Sequence, residues 1–363
     1  MNDTIYRRKK RKQRANLITN IIFCLIALIA LTGCIVLLLQ NYMLKTESVQ
    51  TLNDFEVYKA EKEDYIYTQT DFDNYLLESS GIGIAEGRET VLSEIRNKMN
   101  EGTSTVEILR QLYTDDVVVY ADGKYNFFPI SDKLKKHDYV LDNFVVNENN
   151  QIEYVNDLEE VVSKKGIDVS RYQEKINWEK VADDGVEYAF IRAGVRGSTE
   201  GKLSEDANFE ANIEGALENN IDVGVYFFSQ AVNEKEAVEE AELVLEMIEP
   251  YDIKYPVVYD LEEVTSSDAR TKNLTKEEYT KNCIAFCETI KEAGYTPMIY
   301  GNLKTFMIML DMEQIEQYDK WFAYYNPEVY FPYEFSVWQY TSEGTVNGIK
   351  GDVDLNICMK NYK

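Results

Sequence analysis

Two carboxylates in one short apolar stretch carry the first chemical signal. Tyr255-Pro256-Val257-Val258-Tyr259-Asp260-Leu261-Glu262-Glu263 runs from proline through apolar and aromatic residues into acids. Such a run reads as a strand buried on both faces, over 256–262. Asp260 and Glu262 are two positions apart, so on a strand both point to the same side, with Cα atoms roughly 6–7 Å apart. Carboxylates that close cannot both ionise freely, and one pKa is pushed up. A proton donor beside a stabilising anion is the equipment of general acid–base catalysis. The same pair also suits a plain solvated strand end, so the surrounding elements must decide.

Those elements are legible from Gly166 onward, where short apolar runs alternate with amphipathic stretches. Strands are predicted at 166–170, 187–193, 222–229, 256–262, 296–300, 320–325, 335–340 and 353–356. Between them, Phe209, Ile213, Ala216 and Leu217 share one helical face. Ala237, Ala241, Val244, Leu245 and Ile248 share another, behind the cap-like pair Asn233 and Glu236. The capping box Thr275…Glu278 opens a third helix, whose stripe of Tyr279, Cys283, Phe286, Cys287 and Ile290 stops at Gly294. Eight strands interleaved with helices over about 200 residues imply an α/β fold, a (β/α)8 barrel. The last units are short of helix, so the barrel is expected to be irregular.

Barrels of this kind carry their chemistry at the C-terminal strand ends. That places Asp168 after the first strand, Asp260 and Glu262 after the fourth, and Asp354 at the last. The first and eighth strands adjoin in a closed ring, so Asp168 and Asp354 are expected to be close. Four acids at one mouth repel unless a substrate, a metal or raised pKa values compensate. Tyr226, Tyr300, Tyr324, Trp338 and Tyr340 are expected there too. Ring faces between acids suit a sugar chain, although each aromatic taken singly also suits the core. Arg192 on the second strand either joins this site or pairs with an acid structurally.

Charge limits the partners. The chain has 363 residues and a formal net charge of −26, which argues against nucleic acid. The charge is unevenly placed: residues 1–45 hold eight of the 38 basic residues and one of the 64 acids. Residues 17–39 contain no charge, and 23 residues at about 1.5 Å each span roughly 34 Å, enough to cross a bilayer. The basic run from Arg7 to Arg14 precedes them. It predicts a cytoplasmic tail over 1–16, one membrane span and an extracellular remainder. A cleaved signal peptide is the competing reading, but the apolar run is long for one and no clear A-x-A site follows it. The lipid bilayer is therefore an expected partner through residues 17–39.

Residues 40–80 read as a polar, weakly helical stalk, broken at Gly81-Ile82-Gly83. Residues 81–160 read as a small α+β spacer module. Helices are predicted at 88–100 and 104–113, a hairpin about Asp122-Gly123 over 117–130, and a second hairpin at 143–155. The barrel is assigned to 161–363, and residues 160–363 are expected to fold and act without the module. Cys283 and Cys287 are expected in the core and Cys358 stands alone, so no structural disulfide is expected. The single histidine, His137, lies far from the acidic strand, which excludes a histidine triad or a His-rich zinc site in the C-terminal half.

Taken in order, GIDVSRYQ with INW, YAFIRAG, FEANIEGAL, VGVYFFSQA, YPVVYDLE, IYGN, WFAYY, WQYTSEG and GIKGDVDLN resemble glycoside hydrolase family 25. Its members are lysozymes, or N-acetylmuramidases, of the Chalaropsis type. The resemblance covers about residues 164–363 and leaves 1–160 outside. It implies cleavage of the β-1,4 bond from N-acetylmuramic acid to N-acetylglucosamine in peptidoglycan glycan strands, without metal or cofactor. The family's D-x-E matches Asp260 and Glu262, its N-terminal Asp matches Asp168, and the Asp of its closing V-D-x-N matches Asp354. Glu262 is then implied as general acid and base, with Asp260 assisting. Where the family often carries an aromatic after the second strand, this chain has Val195-Arg196-Gly197, which affects only finer substrate contacts. A non-catalytic glycan-binding wall anchor, or a hydrolase of another N-acetylglucosamine polymer, are the rival readings.

Overall fold

The computed structural model describes residues 69–362 continuously and a few isolated positions between 38 and 54. The predicted span at 17–39, apart from its last two residues, and most of the predicted stalk lie outside the described residues. Among the described residues no helix is long and apolar enough to cross a membrane. The chain divides into two units at Glu101/Gly102.

In the first unit, helix α1 (Gln69–Asn100) is 32 residues long and runs straight through Gly81 and Gly83. The break predicted there, and the separate helix at 88–100, are therefore not observed. Each glycine costs about 1 kcal/mol relative to alanine, too little to end a helix without proline or a competing cap.

The second unit opens with α2 (Thr105–Leu112), whose Ser104 and Glu107 form a reciprocal capping box. Strands β1 (Asp116–Ala121) and β2 (Lys124–Pro129) pair as a hairpin. Its turn places Asp122 and Gly123 at positive φ, as a type I′ connection requires. Strands β3 (Phe144–Val146) and β4 (Ile152–Tyr154) form the second predicted hairpin.

Eight further strands close a ring. These are β5 (Lys164–Val169), β6 (Tyr188–Arg196), β8 (Asp222–Phe228), β9 (Val257–Asp260), β10 (Pro297–Gly301), β11 (Asp319–Ala323), β12 (Val337–Gly344) and β13 (Val353–Cys358). A short β7 (Leu203–Glu205) adds to β6 outside the ring. Neighbours from β5 through β12 are parallel, whereas β13 runs antiparallel to both β12 and β5. Helices α3 (Trp178–Asp183), α4 (Phe209–Glu218), α5 (Glu234–Ile248) and α6 (Lys276–Glu292) fill the early connections. Between β10 and β11 only a single π turn remains, Thr305–Met309, and the last two connections have no helix. An antiparallel final strand needs only a hairpin, which accounts for the missing helix between β12 and β13; the parallel pair β11 and β12 is joined by a loop instead.

Side chains alternate between two packed layers. The ring interior holds Tyr188, Phe190, Tyr226, Val258, Tyr300 and Trp321. Two glycines make room for these rings: a Cβ at Gly166 would lie 2.1 Å from the Tyr188 ring, and one at Gly224 would lie 2.5 Å from Phe190. The outer layer packs strands against helices, with Cys283, Cys287 and Ile290 of α6 fully buried. Cys283, Cys287 and Cys358 are free.

Candidate active site

The alternation of strand residues determines what reaches the mouth of the ring. On β5 the interior series is Gly166 then Asp168; on β8 it is Gly224 then Tyr226; on β9 it is Val258 then Asp260. Glu262 follows just past the end of β9. Asp354 arrives differently, at the beginning of β13, and is paired in register with Asp168 because that strand is antiparallel. Asp168, Asp260, Glu262 and Asp354 thus line one pocket of about 190 Å3 together with Arg192, Tyr226 and Tyr300.

Asp168 is held most firmly. Its Oδ2 accepts from Gln339 Nε2 at 2.8 Å and from Asn356 Nδ2 at 2.9 Å. Gln339 Oε1 in turn accepts from the hydroxyls of Tyr300 and Tyr325, both at 2.8 Å. Trp321 Nε1 donates to Asn356 Oδ1 at 2.7 Å, which fixes the orientation of that amide. Asp260 has the opposite character. It is buried, and its Oδ1 has no hydrogen-bond partner. A buried carboxylate oxygen without a donor is costly, so it favours a protonated acid or a donor on a ligand.

All four acids hold their protons more tightly than usual. Burial first, then the Asp354 charge, pushes Asp168 well above the ordinary carboxylate range, against the pull of the Asn356 and Gln339 amides. Burial, then Glu262 and then Asp168, does the same to Asp260, with Arg192 opposing. Asp354 is pushed up to about 6 by burial. Glu262 is exposed at the rim, yet the protein packed around it, and after that the charge of Asp354, still raise its pKa. Exposure to water tempers that rise relative to Asp260. Acids so close share protons as a set, leaving a proton donor beside an anion near neutral pH.

The aromatic residues divide. Tyr226 and Tyr300 line the acid pocket as expected. Tyr324 and Trp338 do not: the Tyr324 hydroxyl accepts from Arg110 at 2.7 Å, and Trp338 is fully buried with Phe144 edge-on at 5.3 Å. Tyr340 is buried beside Trp338 and lines a neighbouring cleft. The reason is strand parity: Trp321, Ala323, Val337 and Gln339 face the interior, so Phe322, Trp338 and Tyr340 face outward. Arg192 lines the pocket but is held by Asp206, with Nε to Oδ2 at 2.7 Å and a second nitrogen at 2.6 Å.

Tyr325, Gln339, Asn356, Trp321 and Asp206 escaped the sequence reading. Period-two counting from Asp354 reaches Asn356, and counting from Trp321 reaches Tyr325, so parity was the available signal for those two. Nothing in the sequence points to Asp206, which lies in the loop after β7.

A cleft of closely set acids, two of them buried, with aromatic walls at the mouth of a β/α barrel is the arrangement of a glycoside hydrolase. Residues 167–349 match the glycosyl hydrolases family 25, and this chain belongs to that family. YegX of Escherichia coli (strain K12), an uncharacterized protein, is 33% identical over 202 residues, covering 53% of this chain and 68% of that protein. The autolytic lysozyme of Clostridium acetobutylicum is 24% identical over 195 residues, covering 53% of this chain and 55% of that one. Among solved structures, the modular autolysin LytC from Streptococcus pneumoniae, in complex with a synthetic peptidoglycan ligand, is 26% identical with a TM-score of 0.49. The match covers 67% of this chain and 58% of the autolysin.

Proposed function

We propose that this protein hydrolyses peptidoglycan glycan strands at the β-1,4 bond between N-acetylmuramic acid and N-acetylglucosamine. The observation that carries the reading is the contrast within one pocket. Asp260 is buried with an unpartnered oxygen, while Glu262 stands at the rim with a raised pKa. Glu262 protonates the leaving glycosidic oxygen and then deprotonates the incoming water. Asp260 orients the acetamido group of the sugar, whose oxygen attacks the anomeric carbon, and stabilises the ring so formed. Asp168 and Asp354 hold the electrostatic field and bond sugar hydroxyls. Tyr226 and Tyr300 supply walls for the sugar faces. Residues 17–39 hold the chain in the cell membrane with its N-terminus in the cytoplasm and the barrel outside.

The test is digestion of purified peptidoglycan with residues 41–363, followed by identification of the new reducing-end sugar. Muramic acid supports the proposal. Glucosamine would replace it with a different bond specificity, and binding without any cut would make the protein a wall anchor. Protease added to protoplasts should remove the barrel, and a fully protected barrel would overturn the orientation.

A further inference from the structure

A second cleft, of about 570 Å3, opens beside the acid pocket, and Tyr325 lines both. One wall is barrel: Tyr325, Asn326 and the outer end of β12 from Thr341. The other wall is the turn between β3 and β4, with Asn149, Asn150 and Gln151. That turn lies outside the 167–349 family match.

The turn is built to keep its shape. Asn147 Oδ1 accepts from the backbone amides of Asn149 at 2.9 Å and Gln151 at 3.0 Å, and its Nδ2 donates to Glu153 at 2.6 Å. Asn150 takes a left-handed φ of 59°, which asparagine tolerates better than most residues. The turn is also seated: Phe144, at the start of β3, packs edge-on to Trp338. These bonds occupy Asn147 but leave the side-chain amides of Asn149, Asn150 and Gln151 with no partner among the described residues. Gln151 is only 9% exposed. Its amide atoms still reach solvent, so a mostly buried side chain presents an uncommitted donor and acceptor to the cleft, where a ligand's polar groups can bond.

The lining chemistry selects the ligand. Amides, hydroxyls and a tyrosine edge, with Glu343 as the one charged group, suit uncharged N-acetylated sugar rings. A stem peptide would bring carboxylates toward Glu343. We infer that this cleft is a remote subsite, in which the β3–β4 turn and the barrel together grip the glycan strand beyond the sugars that react. It rests on the proposed glycan substrate and adds to it a role for the N-terminal module: extending the grip on long strands.

The experiment compares kcat/KM on long glycan strands with kcat/KM on the shortest oligosaccharide that is cut, for wild type, Asn149→Ala and Gln151→Ala. The long-to-short ratio should fall about five- to tenfold in each variant, the size of one neutral hydrogen bond. Asn149 is exposed, so its variant carries the test if Gln151→Ala melts without cooperativity. An unchanged ratio in Asn149→Ala, with normal cutting, overturns the subsite and leaves the function intact. If wild type cuts no glycan, the function fails instead, and calorimetry with uncut glycan fragments decides the subsite. Weaker binding by Asn149→Ala then supports it, and equal or absent binding to wild type overturns it.

Discussion

Asp168 and Asp354 face each other in register across the antiparallel pair β5–β13. A parallel last strand would have put Asp354, second in β13, near the far end of the barrel, about 10 Å lower. Reversing one strand brings a fourth carboxylate to the mouth and raises both Asp168 and Glu262 through its charge.

That relationship predicts how Asp354→Asn behaves. Glu262 loses a like-charged neighbour, so its pKa falls, and the alkaline limb of kcat/KM should move to lower pH. Stability should move the other way. Asp354 binds its proton more tightly folded than unfolded, so its favourable contribution is complete below the unfolded pKa. It is lost as pH rises to about 6. At pH 7 the variant should therefore be more stable than wild type by on the order of 2 kcal/mol, and near pH 3 equally stable. Urea titrations at the two pH values check this; a variant that is less stable at pH 7 contradicts the assignment.

Glu262→Gln should lower turnover at least a hundredfold, the typical worth of a general acid, because an amide of the same shape has no proton to give. Glu262 stands at the rim, so the fold should be unchanged, and loss of a carboxylate whose pKa is raised should leave the melting temperature at pH 7 equal or slightly higher. Turnover above a tenth of wild type would remove Glu262 from the acid role.

The sequence carried the four acids because each sits in a run whose local pattern marks a strand end. It carried the hairpins through Asp122-Gly123 and the two valine-rich edges. It did not carry strand direction, since β13 reads alike in either sense, and its partners are set by ring closure. Facing was lost for a similar reason. Tyr324 and Tyr325 are indistinguishable as types, and only the parity inherited from Trp321 sends one to Arg110 and the other to the acids. The helix through Gly81 and Gly83 shows a weak breaker losing to its neighbours.

Stereochemistry separates the routes open to this pocket. Attack by the sugar's own acetamido oxygen inverts the anomeric carbon once, and water inverts it again, so the β configuration is retained. Proton NMR of the earliest product should show the β anomer before mutarotation. An initial α anomer would require a water placed opposite Glu262 and would remove Asp260 from its orienting role.

The last prediction concerns the module. Ring closure through β5–β6 needs no strand from outside the barrel, which supports folding of residues 160–363 alone. The outer face tells against full stability. Tyr333 donates no strand to the ring yet is 2% exposed, and its hydroxyl accepts from the Ser131 amide at 3.0 Å. Tyr139 donates to the Phe335 carbonyl at 2.7 Å, and the Val118 amide donates to the Tyr330 hydroxyl at 2.9 Å. Arg110 lies 4.4 Å from the Tyr330 ring centre, and Phe144 covers Trp338. Removing residues 102–159 uncovers these rings together, at a cost on the order of 3–5 kcal/mol. Residues 160–363 should then melt on the order of 10 °C below residues 102–363 and bind a hydrophobic dye. Cutting of the shortest oligosaccharide should persist in the short form, because all four acids lie on the ring or its rim. Equal melting of the two forms would mean that the joint contributes nothing to the stability of the barrel.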